Sequence, residues 1–135
     1  MASDCIFCRI AAGKVDALVV AEDDRTMAFL DSSPISEGHT LVIPKAHYEG
    51  IVDIPEEEAA GVMTMAKRLA MLYGNRLGIG EFNVMQSSGK AAGQTVFHFH
   101  MHIVPRRTDD GLSLWLHKNE RLRTDIREVY RKIVG

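Results

Sequence analysis

One six-residue run narrows the possible folds more than any other feature: His98-Phe99-His100-Met101-His102-Ile103. Imidazole and apolar side chains alternate with the period of a β-strand, whose successive side chains take opposite faces. The pattern predicts a strand from about 95 to 104. Phe97, Phe99, Met101 and Ile103 would turn to a core, and His98, His100 and His102 would line the other face. Adjacent imidazoles suppress one another's protonation, so at least one should be neutral near pH 7. A neutral imidazole can be a nucleophile, a metal ligand or a general base. The chain has six histidines in 135 residues, so three at alternate positions are an improbable accident of a solvated strand. Taken alone, the run fits a His-x-His metal site as well as a catalytic one.

The remainder reads as one domain, residues 1–135, long enough to bury a core without disulfides. Residues 17–22 and 26–30 are strand-like, and Asp23-Asp24-Arg25 between them suits a hairpin turn. A third strand over 40–43 stops at Pro44. Pro55-Glu56-Glu57-Glu58 opens a helix, since proline suits the first turn and acids its positive end. Val62, Met65, Ala66, Leu69 and Leu72 or Tyr73 recur on one helical face, with Gly74 and Gly78 marking the end region. Residues 82–86 form a fourth strand. A C-terminal helix is expected over about 119–133, with Leu122, Ile126, Val129, Tyr130 and Ile133 on one face. The order β-β-β-α-β-β-α predicts an α+β fold around a five-stranded antiparallel sheet.

Charge and composition exclude several classes. A net charge of -2 argues against gripping nucleic acid through its phosphates. No apolar run approaches the ~20 residues of a membrane span, and the start lacks a signal peptide's apolar stretch. The expected setting is the cytoplasm. There the only two cysteines, Cys5 and Cys8, read as metal ligands or a redox pair. Gly89-Lys90 is not a phosphate-binding P-loop, because Val84 and Ala91 stand where that motif needs glycine and Ser/Thr.

Several blocks together resemble the histidine-triad family. His98-Phe99-His100-Met101-His102-Ile103-Val104 matches its His-φ-His-φ-His-φ-φ motif, φ being apolar. Cys5-Ile6-Phe7-Cys8, Phe29-Leu30-Asp31-Ser32-Ser33-Pro34, Gly38-His39-Thr40-Leu41-Val42-Ile43-Pro44-Lys45-Ala46-His47 and Ala92-Gly93-Gln94-Thr95 follow the family's order, covering about residues 5–107. The resemblance implies a nucleotide hydrolase or transferase working through a covalent nucleotidyl-histidine on His100. His102 would contact the phosphate and His39 would stand nearby. Gln94, Thr95 and the backbone at Gly93 would serve the phosphoryl group, and Asp31 the ribose hydroxyls. Ile6, Phe7, Ile10 and Phe29 would surround a base, with purines favoured. Ser87 stands where relatives commonly carry asparagine. Lys45 and Arg106 add positive potential.

The resemblance also implies a structural zinc held by Cys5, Cys8, His47 and His98, which would withdraw His98 from direct chemistry. It implies a homodimer as well. Within the enzyme class, nucleoside phosphoramidates and dinucleoside polyphosphates compete as substrates. The reading from another class is a nucleotide-binding scaffold with incidental hydrolysis.

Overall fold

The computed structural model describes residues 4–114 and 119–135. The chain folds as α1 (Ile6–Ala11), β1 (Val19–Glu22), β2 (Thr26–Leu30), β3 (Thr40–Pro44), α2 (Glu56–Leu77), β4 (Glu81–Gln86), β5 (Met101–Arg106) and α3 (Ile126–Val134). The strands form one antiparallel sheet in the order β1-β2-β3-β5-β4. This is the expected α+β architecture.

The β1–β2 turn closes on Asp23. Its Oδ1 accepts from the Arg25 and Thr26 amides and the Thr26 hydroxyl at 2.8–3.0 Å, as short acids do in tight turns. β3 is buried along its whole length because helices cover both faces of the sheet. On one face α2 lays Val62, Met65, Ala66, Leu69 and Tyr73 against Ala28, Val42, Phe99, Met101 and Ile103. On the other, α1 brings Phe7 and Ile10 onto Met27, Phe29, Leu41 and Ile43. The period-2 alternation of β2 and β3 thus feeds two cores at once.

α2 begins at Glu56, with Pro55 extended just before it. It runs through Gly74 and ends at Gly78, whose left-handed backbone (φ 68°) only glycine adopts cheaply.

Several boundaries differ from the sequence reading. Pro44 is the last paired residue of β3, opposite Thr26, rather than a stop before it. The fifth strand covers Met101–Arg106 only. Among the described residues, 95–100 carry no strand pairing. There the backbone bonds to a loop instead: the Phe99 amide donates to the Tyr48 carbonyl at 2.6 Å. Phe97 is accordingly exposed, while Phe99, Met101 and Ile103 keep the expected core face. α3 is shorter than expected, and every residue of it is exposed, its apolar stripe included. α1 was not foreseen.

Candidate active site

The three histidines sit where β5 enters the sheet on the α1 side. Antiparallel pairing sets Leu41 opposite His102. A cleft of about 950 Å3 opens there, within the range of small-ligand sites. Ile6, Phe7, Ile10 and Phe29 form its apolar part, and Asp31, Thr95, His100 and His102 its polar part. The sequence reading named all eight. It missed Leu18, Pro34, Leu41 and Val96 on the walls and Asp16 and Ser32 as further polar groups. Leu41 was findable, since it shares the strand face of Phe29.

Hydrogen bonds assign a proton to each imidazole. His100 Nδ1 lies 2.7 Å from the His98 carbonyl, which can only accept. The proton therefore sits on Nδ1, and the Nε2 lone pair is left for the cleft. His39 Nδ1 accepts from the Ile35 amide at 3.2 Å, so His39 carries its proton on Nε2. That N–H donates to His102 Nδ1 at 3.0 Å, with an Asp31 oxygen 3.6 Å away. His102 must then be protonated on Nε2, the nitrogen left for the cleft. The site thus offers one lone pair, on His100, beside one N–H donor, on His102. Asp31, His39 and His102 also lie close enough to suggest a metal group. The tautomer chain argues against it, because His39 would have to give up the only proton its hydrogen bonds allow.

Burial is the main reason these rings stay neutral. It lowers the pKa of His100, where the bond to the His98 carbonyl partly opposes it. It lowers His39 against the pull of Asp31. It takes His102 to about 4, helped by the charges His100 and His39 would carry. Mutual repulsion, the cause expected from the sequence, is secondary.

Asp31 divides its carboxylate. Oδ1 accepts from the Ser33 amide at 2.8 Å and caps the turn toward Pro34, while Oδ2 faces His39. His39 itself is buried beneath the site and does not line the cleft.

Ser87, Gly93 and Gln94 do not line this cleft. Gln94 is buried and committed. Its Nε2 donates to the Glu49 and Val96 carbonyls at 2.6 and 3.1 Å, and its Oε1 accepts from the Gly89 amide at 2.8 Å. Left-handed backbone at Gly89 and Gly93 lets the loop fold back into those bonds. Gln94 therefore braces the loop behind the site. Arg106 is held by Asp110 and Asn83, and Lys45 by Glu22, outside the cleft.

The second cluster is Cys5, Cys8, His47 and His98, whose donor atoms all lie within 4.8 Å of one another. Cys5 Sγ is 3.3 Å and Cys8 Sγ 3.4 Å from His98 Nδ1, and Cys8 Sγ is 3.2 Å from His47 Nδ1. Zn–S bonds of ~2.3 Å and Zn–N bonds of ~2.0 Å in a tetrahedron put donors roughly 3.5 Å apart, so the set fits zinc. His98 is prepared for it. Its Nε2–H donates to the Pro44 carbonyl at 2.8 Å, which leaves Nδ1 free to ligate. Burial lowers its pKa to about 4. Without an ion, burial and the neighbouring Cys5 push the Cys8 thiol up to about 11, so thiolate formation there would be coupled to metal binding.

The chain belongs to the HIT (histidine triad) family: the HIT domain model matches residues 12–109. A HIT-like protein of Methanocaldococcus jannaschii is 39% identical over 97% of this chain and 99% of its own length. The adenosine 5'-monophosphoramidase of Saccharomyces cerevisiae is 40% identical over 78% of this chain, which spans 64% of that enzyme. The crystal structure of a zinc-bound histidine triad family protein from Mycobacterium smegmatis superposes with a TM-score of 0.80 at 39% identity, covering 88% of this chain and 86% of that one.

Proposed function

We propose that this protein hydrolyses, or transfers to an acceptor, the nucleoside monophosphate group of purine nucleotides substituted at the α-phosphate. The observation that carries the reading is the His100 lone pair, held toward the cleft by the bond from Nδ1–H to the His98 carbonyl. In the first step His100 Nε2 attacks the α-phosphorus. An N–P bond forms, the bond to the leaving group breaks, and the leaving group departs with the electron pair. An amine leaving group takes its proton from solvent. The ring becomes an imidazolium whose Nδ1–H still points at the His98 carbonyl, which stabilises the new charge. In the second step water attacks phosphorus, releases its proton to solvent, and the N–P bond breaks to restore neutral His100. The His102 Nε2–H donates to a phosphoryl oxygen as charge builds there. Bound at the Cys5, Cys8, His47 and His98 set, zinc would supply structure rather than chemistry, because four protein ligands leave no open position.

Phosphoramidates are the favoured substrates, given the named activity of the yeast relative, with dinucleoside polyphosphates the competing class. Trapping tests the mechanism. A labelled nucleotidyl-protein that survives base and decays in acid is expected, and tight nucleotide binding with neither a covalent species nor turnover would favour a scaffold instead. The family reading also carries a homodimer, which sedimentation at working concentration checks.

Two substitutions probe the supporting groups. His39→Phe removes the donor that fixes the His102 tautomer. A fall in kcat of about a hundredfold is expected, the lower range for a positioned proton donor. His39→Gln, whose amide can donate to His102 Nδ1, should recover part of it. Equal losses for Phe and Gln would reject the relay.

Asp31→Asn tests the ribose contact. A hydrogen bond to a charged group contributes roughly 1.5–3 kcal/mol, so a ribonucleotide should bind about tenfold more weakly. The 2′-deoxynucleotide should lose less. Equal losses for both ligands would leave Asp31 as only the turn cap seen at Ser33.

A further inference from the structure

The zinc set and the nucleotide cleft share parts rather than merely lying close. Ile6 and Phe7, the two residues between Cys5 and Cys8, both line the cleft. The Phe7 ring stands edge-on to His98 at 5.9 Å and to His100 at 5.1 Å. His98 points its ring at the two sulfurs while its carbonyl holds the Nδ1–H of His100. Residues 98–100 lie outside β5, so no strand ladder fixes them. Among the described residues their anchors are the His98 ring, the bond from the Phe99 amide to Tyr48, and the Phe99 ring in the α2 core. α1 is six residues long, too short to persist unless its ends are held.

We infer that metal occupancy at Cys5, Cys8, His47 and His98 sets both the affinity of the cleft for nucleotide and the tautomer of His100, with His98 as the positioning residue. Coupling between two sites is reciprocal, so bound nucleotide must hold the metal by the same factor. The inference rests on the proposed nucleotide cleft and deepens it.

The test uses zinc-loaded protein, a chromogenic chelator and AMP. Saturating AMP should raise zinc affinity, read by competition with the chelator, by about fivefold or more, the lower range for coupled sites. AMP affinity should fall by a like factor after zinc removal, at a temperature where circular dichroism shows the metal-free chain folded. Should that chain unfold, cobalt-substituted protein replaces it, and AMP should shift the visible bands of the Cys2His2 cobalt site. Nitrogen-15 spectra give the readout that a mere staple would not move. His100 should show one tautomer with zinc and a mixture without it. Phe7→Leu should keep one zinc per chain yet lose most of the protection by saturating AMP. If AMP binds but leaves zinc affinity, cobalt bands and the His100 tautomer unchanged, the coupling is overturned and the cleft assignment stands. If AMP does not bind the zinc-loaded protein, the cleft assignment and the coupling fall together.

Discussion

His100→Asn should lose turnover by about four orders of magnitude or more, as when the nucleophile of a catalytic unit is removed. Asparagine suits the test because of where its amide falls. The side-chain nitrogen can take the place of Nδ1 and keep donating to the His98 carbonyl, 2.7 Å from Nδ1 in the native site. The atom lost is Nε2, the proposed nucleophile. Binding should therefore survive, since Ile6, Phe7, Ile10, Phe29 and Asp31 still line the cleft. No acid-labile nucleotidyl-protein should form. Titration calorimetry with AMP separates binding from chemistry. Turnover within tenfold of the native rate would sink the covalent route.

Metal analysis should find about one zinc per chain, with absorption spectroscopy giving two sulfurs at ~2.3 Å and two nitrogens at ~2.0 Å. Its removal should be costly for a topological reason. Cys5 and His98 are 93 residues apart in sequence, so a shared metal closes a very long loop. By analogy with a disulfide, the chain-entropy model gives about 4–5 kcal/mol for a loop of that length. Strain and residual structure would reduce it. Cys5→Ala, or exhaustive chelation, should lower the denaturation midpoint accordingly. A metal-free native protein with the same midpoint, or a ligand set without sulfur, would refute the assignment.

What the sequence disclosed follows from the range of each interaction. The faces of Phe99, Met101 and Ile103 were legible because strand alternation is a property of adjacent residues. So was the buried stripe of α2, which repeats over 22 residues. The end of β5 was not, because strand pairing depends on a partner. β3 supplies one only as far as Met101, and Tyr48 takes the Phe99 amide instead. α1 was hidden by its length, although Phe7 and Ile10 at helical spacing, with Cys5 accepting from the Cys8 amide, are its local signals. The site divides in the same way. That His100, His102 and Asp31 meet at one cleft, and Cys5, Cys8, His47 and His98 in one set, was readable as a pattern. The commitment of Gln94 was not, since its carbonyl partner at Glu49 lies 45 residues away. The tautomers were equally hidden, because the Ile35 amide and the His98 carbonyl acquire their roles only when the loops fold.

The pairing of α1 with residues 98–100 also imposes a schedule on biosynthesis. Cys5 and Cys8 leave the ribosome 93 and 90 residues ahead of His98. At roughly 5–20 residues per second, that is a wait of about 5–20 seconds. Through that interval the thiols are nascent-chain groups open to stray metal and to oxidants, while β1, β2 and β3 can already pair. The four-ligand set can close only after His98 has emerged. A chain that stalls before that point cannot assemble it, and a complete Cys2His2 site is thus a molecular record that translation passed residue 98.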